Sequence, residues 1–167
     1  MGLETKVLSR EIQQILYDNG MTLGTAESCT GGRIAEAIIA VPGASNYFKG
    51  AIVSYATEIK EKLLHVDHEL IEEKGVVSEE VAKAMVAGAC DALDVDFAIS
   101  STGVAGPSGG TAATPVGTIW LAYGCKDDIR TLKLSEDNGR DINLTNATNT
   151  AIRLFLAYVK EKAAEKE

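Results

Sequence analysis

Three consecutive stretches decide how this chain reads. Met21-Thr22-Leu23-Gly24-Thr25-Ala26 comes first, then Glu27-Ser28-Cys29-Thr30-Gly31-Gly32, and then a run in which Ile34, Ala35, Ile38 and Ile39 are the apolar positions. The first has the composition of a short strand. The second is a polar turn rich in glycine. The third has helical spacing, which lasts until Val41-Pro42-Gly43 stops it. Strand, turn and helix in this order form the repeating unit of α/β sheets. Ligands of such sheets bind beyond the carboxyl ends of the strands, so the turn is also the first place to look for chemistry.

Upstream, Leu8, Ile12, Ile15 and Leu16 predict a helix that Gly20 ends. Downstream, Gly50 to Tyr55 predicts a second strand. Thr57 is placed to cap a helix from Glu58 to Leu64, and Asp67 to cap another ending at Gly75. Ser78, followed by Glu79 and Glu80, opens a helix whose stripe is Val81, Ala84, Met85, Gly88, Ala89, Ala92 and Leu93. Phe97 to Ser101 predicts a strand entering a glycine loop, Gly103 to Gly117. Val116 to Tyr123 is apolar without alternation, which predicts a central strand covered on both faces. A turn near Lys126-Asp127-Asp128 joins it to an antiparallel neighbour, Ile129 to Leu134. A last helix carries Leu144, Ala147, Ala151, Leu154, Phe155 and Tyr158 on one face. This order predicts a three-layer α/β/α sandwich with a mixed, mostly parallel sheet, in one domain spanning 1–167.

The 167 residues are 46% hydrophobic and 24% charged, close to globular averages, which excludes disordered and fibrous classes. No run of about eighteen apolar residues spans a bilayer. The first thirty residues carry Glu4, Glu11 and Asp18 and do not form a signal peptide. With 16 Lys+Arg against 24 Asp+Glu the net charge is -8, and the basic residues are not clustered. Such a chain repels a phosphate backbone, so nucleic acid is not an expected partner. Cys29, Cys90 and Cys125 form no close pair, which points to reduced thiols and a cytoplasmic protein rather than to disulfides or zinc.

Two polar turns fall at strand ends. Ser28 to Gly32 offers three nucleophile types in Ser28, Cys29 and Thr30, and its glycines open backbone N–H groups to an oxyanion or a phosphate. Small residues at this point also serve simply as helix caps. Ser101 to Gly110 holds four glycines in ten residues but lacks the Gly-Lys-Ser/Thr of a P-loop. A serine needs a base. His65 and His68 lie beside Asp67 and Glu69 at what reads as an exposed helix start, without further ligands at metal-site spacing. The other choice is a lysine made less basic by desolvation. Lys60 follows the second strand closely, near where Ser28 should lie, although composition alone does not single it out.

Five motifs occur in order: Thr25-Ala26-Glu27-Ser28-Cys29-Thr30-Gly31-Gly32; Val53-Ser54-Tyr55 with Lys60; Gly75-Val76-Val77-Ser78; Thr102-Gly103-Val104-Ala105-Gly106-Pro107; and Pro115-Val116-Gly117-Thr118. Over nearly its whole length the chain resembles the CinA C-terminal domain family, whose stand-alone members include the PncC-type nicotinamide-nucleotide amidases. The resemblance implies hydrolysis of nicotinamide mononucleotide to nicotinate mononucleotide and ammonia, with no cofactor and no metal. It implies Ser28 as nucleophile, Lys60 as base and Tyr55 as an orienting or proton-relay group. Thr102, Gly103 and Gly106 would line the substrate site, and amides around Thr30, Gly31 and Gly32 would hold the oxyanion or the phosphate.

The chain departs from the family pattern in three places. Thr57 stands where Asn is usual. The late Gly-Asp-Arg reads Asn138-Gly139-Arg140, and a basic position one turn later reads Leu144. Arg140 is the expected phosphate ligand, since a guanidinium forks well onto that group. A homo-oligomer, most simply a dimer, is expected from general frequency. The rival reading is a non-catalytic nucleotide- or protein-binding module of the same fold, favoured by Leu144 and the altered Asn138-Gly139. A metal-dependent phosphohydrolase would need clustered acids or histidines at strand ends, which the sequence does not offer.

Overall fold

Gly20 ends the first helix by taking a left-handed backbone (φ 62°), which lets Met21 N–H reach Leu16 O and Gly20 N–H reach Tyr17 O. In the computed structural model, which describes residues 2–167, this helix is α1 (Leu3–Asp18). There follow β1 (Leu23–Glu27), α2 (Arg33–Ile39), β2 (Phe48–Val53), α3 (Thr57–Leu64), α4 (His68–Lys74) and α5 (Glu79–Leu93). The remainder is β3 (Phe97–Gly103), β4 (Ile119–Cys125), β5 (Asp128–Leu134) and α6 (Arg140–Ala164). The strands lie in the order β2-β1-β3-β4-β5. The β1 ladders to β2 and β3 are parallel, and β4 is antiparallel to both β3 and β5. The sheet is mixed with helices on both faces, as expected.

The strand residues explain how the two layers differ. Leu23, Phe97, Ile99, Ile119, Leu121 and Tyr123 turn large side chains to one face, where α1, α2 and α6 contribute Ile12, Leu16, Ile34, Ile38, Phe155 and Tyr158. The other face is small at its centre, with Gly24, Ala26, Ala98, Ser100 and Ala122, while Ile52 and Trp120 lie toward its margins. Small residues let α5 lie close to the sheet, packing Val81, Met85, Val86 and Ala89 there, while Leu64 of α3 and Ile71 of α4 join the same cluster. Ser100 Oγ donates to Ala82 O at 2.7 Å, tying strand to helix through a polar group on that face. At Gly88 an added Cβ would meet Leu64 O at 2.0 Å, so α5 also presses directly against the end of α3.

The caps follow the chemistry with one exception. Asp67 accepts from Glu69 N–H, Ser78 Oγ accepts from Val81 N–H, and Gly75 follows α4. Thr57 is not the cap of α3: the extended residue is Ala56, and Thr57 is already helical. Ala56 O accepts from Ile59 N–H, so the backbone alone closes that first turn. The fourth strand also starts later than its composition predicts. Pro115 to Thr118 makes a turn (Thr118 N–H to Pro115 O, Gly117 φ 96°), and pairing begins only at Ile119. Glu27, Val53 and Gly103, the carboxyl ends of the three parallel strands, share one edge of the sheet. The first glycine turn and α3 meet there.

Candidate active site

Ser28 is the first residue after β1, and its N–H donates to Ser101 O at 3.0 Å, so the parallel ladder runs one residue further than β1 itself. The chain then folds back. Gly31 N–H reaches Ser28 O, Arg33 N–H reaches Thr30 O, and Gly31 and Gly32 take left-handed backbones (φ 57° and 102°) that a side chain would strain. Ser28 is left at the rim of the sheet, 8% exposed.

Lys60 comes to it from the opposite helical layer. It sits one turn into α3 with 1% of its surface exposed, and its Nζ lies 2.9 Å from Ser28 Oγ, 2.6 Å from Ser54 O and 3.4 Å from Tyr55 O. Among the described residues no carboxylate is paired with it. Burial therefore dominates and lowers its pKa to about 8, with the Cys29 sulfur acting weakly in the other direction. The two carbonyls can only accept. A neutral amine gives its two hydrogens to them, and its lone pair is left facing Ser28 Oγ.

Cys29, beside the serine, is a different kind of group. Burial pushes its thiol up to about 11, and it packs with the apolar residues of the α1, α2 and α6 face.

Glu27 carries more of the turn than its place in the sequence announces. The residue is fully buried and its carboxylate accepts five hydrogen bonds. These come from Thr25 Oγ1 (3.0 Å), Thr30 Oγ1 (2.7 Å) and the N–H groups of Gly32 (3.2 Å), Ile34 (2.9 Å) and Ala35 (3.0 Å). The acid fills the amino end of α2. The clue in the sequence was a helix whose cap position is Gly32, with no side chain to serve, preceded by an acid at the close of an apolar strand. Thr30 gives its hydrogen to Glu27, so the 2.7 Å contact between Thr30 Oγ1 and Ser101 Oγ has Ser101 as donor.

The remaining site residues divide. The N–H groups of Gly31 and Gly32 are engaged internally, by Ser28 O and by Glu27, whereas no acceptor engages those of Cys29 and Thr30 among the described residues. Tyr55 reaches Lys60 through its carbonyl, and the residue is 62% exposed. Thr102 is buried and donates to Val76 O at 2.9 Å, fastening the segment between α4 and α5 to β3. Gly103 is a close-approach residue, since a Cβ there would meet Ile119 and Thr118 O within 2.7 Å.

Arg140 donates through Nη1 to Gly106 O at 2.8 Å, and Asn143 Nδ2 donates to Ala105 O at 3.1 Å, so the start of α6 holds the glycine loop in place. Leu144 points into the core. Neither of two open hollows elsewhere, of about 310 and 220 Å³, is lined by Ser28 or Lys60. His65 and His68 stand on the exposed surface, with His68 Nδ1 2.7 Å from Glu61.

Known proteins share this arrangement of chain. A CinA-like protein of Cytophaga hutchinsonii is 38% identical over 160 residues, which is 96% of this chain and 38% of that protein. One from Geobacter sp. strain M21 is 47% identical over 145 residues, 87% of this chain and 35% of that protein. The chain thus spans less than two fifths of the length of these relatives. Among solved structures, a competence/damage inducible protein of Agrobacterium tumefaciens superposes with a TM-score of 0.89 at 33% identity, covering 94% of this chain and 98% of that one. A CinA superfamily protein of Escherichia coli gives 0.87 at 33% identity, covering 91% and 88%. The sequence profile of the CinA C-terminal domain matches residues 5–159, and over that span, which takes in every strand of the sheet and the turn that holds Ser28, the chain is a member of the CinA C-terminal domain family.

Proposed function

We propose that this protein hydrolyses a nucleotide carboxamide, nicotinamide mononucleotide, to the carboxylate and ammonia. One observation carries the reading: a buried lysine of lowered basicity stands 2.9 Å from a serine hydroxyl, with the Ser54 and Tyr55 carbonyls 2.6 and 3.4 Å away to take the hydrogens of its neutral form. That is the geometry of an activated nucleophile without histidine. The resemblance of the five sequence motifs to the nicotinamide-nucleotide amidases supplies the substrate.

The steps balance as follows. Ser28 Oγ bonds to the amide carbon as its proton passes to neutral Lys60 Nζ. The carbonyl oxygen becomes an oxyanion, for which the unengaged N–H groups of Cys29 and Thr30 are the available donors. Losing one such donor typically costs about 100- to 1000-fold in turnover. Lys60 returns the proton to the departing nitrogen, the C–N bond breaks and ammonia leaves. Water then attacks the acyl-serine and gives a proton to Lys60, Ser28 recovers its hydrogen from the lysine as the C–O bond breaks, and the carboxylic acid released gives its remaining proton to solvent. Tyr55, exposed at the rim, serves the substrate or the proton path from outside. Arg140 reaches the phosphate with the guanidinium nitrogens not given to Gly106.

A second reading, a binding module without turnover, draws on that same Gly106 contact, which takes up part of the expected phosphate ligand. Calorimetric titration with nicotinamide mononucleotide, with ammonia measured in the same cell, separates the two. Ammonia release supports the amidase. Binding heat without ammonia selects the module.

A further inference from the structure

Glu27 stands outside the proton transfers just described, yet the site is assembled around it. A buried carboxylate is tolerated only when its lone pairs are filled, because desolvating an ion otherwise costs several kcal/mol. Here every partner is a donor, Thr25 from the strand itself and Thr30, Gly32, Ile34 and Ala35 from the turn or the helix that follows it. Two consequences follow. The amino end of α2 is satisfied internally, so no anion of the substrate competes for it. The chain between the acid and its most distant partners, Ser28 to Arg33, is held at both ends like a bent spring clip. The nucleophile and the two unengaged N–H groups, those of Cys29 and Thr30, all lie in that held segment. The clip extends to the neighbouring strand through the Ser101 to Thr30 to Glu27 chain of hydroxyls.

We infer that Glu27 is a positioning residue for the tetrahedral step: its carboxylate aims the Cys29 and Thr30 N–H groups at the developing oxyanion and excludes the substrate's phosphate from α2. This rests on the serine-lysine amidase reading. An interaction that exists only in the transition state lowers kcat and leaves ground-state binding alone. A glutamine keeps the size but puts an NH2 group against donors that need an acceptor.

The experiment compares wild type, Glu27→Gln and Thr30→Val by three readouts. These are ammonia release from nicotinamide mononucleotide, inhibition by pyridine-3-boronic acid, which adds to a serine as a tetrahedral anion, and the thermal unfolding midpoint. The inference predicts that Glu27→Gln loses about 100-fold in kcat with KM within about threefold, and weakens boronate inhibition by a similar factor. Thr30→Val keeps the acid and its amide bonds but cuts the hydroxyl chain, and is expected to lose about tenfold in kcat at unchanged KM. If Glu27→Gln does not fold, Thr30→Val decides. A folded Glu27→Gln, or failing that Thr30→Val, with kcat and boronate inhibition within threefold of wild type overturns the inference. So does a loss confined to KM. Wild type that releases no ammonia but is still inhibited by the boronate defeats the substrate assignment instead, and the boronate comparison then tests Glu27 alone.

Discussion

Lys60 has three acceptors within reach and, once neutral, two hydrogens to give them, so its protonation state decides whether Ser28 faces a lone pair or a third N–H. With a pKa near 8, the neutral form grows as pH rises through that value. The rate of ammonia release is therefore expected to climb about tenfold per unit below pH 8 and level off above it, and Lys60→Met should abolish the climb together with the activity. The same shift affects stability. Between about pH 8 and the ordinary lysine range near 10.5 the unfolded chain holds a proton that the folded chain has lost, so stability rises with pH across that window. Unfolding midpoints measured across it should rise for wild type relative to Lys60→Met, and parallel curves would contradict the assignment. Ser28 was legible as one of three candidate nucleophiles, and motif resemblance singled it out. That Lys60 should lie near Ser28 was legible from their places after neighbouring strands, but the contact itself was not, because α2 and α3 lie on opposite faces of the sheet and no periodicity reports where their ends meet. Glu27 lay in plain sight inside a motif, but an acid at a strand end shows its role only when its five donors are seen around it.

Local signals served well for the elements, because most ends here are closed by residues adjacent in sequence. Gly20, Asp67, Gly75 and Ser78 each act within four positions of themselves. Thr57 misled because the chain before α3 is already extended at Ala56, just after the Ser54 and Tyr55 carbonyls that hold Lys60 Nζ, and the helix begins without a side-chain cap. Arg140 was read for a ligand, and its first partner is a carbonyl 34 residues away, a contact that only tertiary structure supplies. Two substitutions probe this scale. Ser78→Ala removes the cap of α5 and is expected to cost about 1 kcal/mol, read from chemical denaturation. Gly88→Ala drives a methyl group into Leu64 O, should cost at least ~1–3 kcal/mol, and by displacing α3 should lower turnover as well as stability. A Gly88→Ala variant of wild-type stability and activity would mean that α3 and α5 do not press together as described.

For the whole molecule, the sheet's two unlike faces were the least legible feature. Large and small residues alternate over Phe97–Ser100 and Leu121–Gly124, yet both faces are buried there, so burial along each strand is nearly continuous and does not say which helices it meets. Net charge acts at this scale too. At -8 the protein repels a nucleotide phosphate from a distance, and salt screens that repulsion to about 8 Å at physiological ionic strength. KM for nicotinamide mononucleotide is therefore expected to fall severalfold between low and physiological salt while kcat stays level. A KM that rises with salt would instead point to a local cationic pocket dominating recognition. No helix among the described residues is long and apolar enough to cross a membrane. The central claim is that Ser28, deprotonated by Lys60, attacks a carboxamide. Its most direct test is the initial rate of ammonia release from nicotinamide mononucleotide by wild type and by folded Ser28→Ala under identical conditions. The account predicts steady release from the first and none above background from the second, and equal rates from both would contradict it.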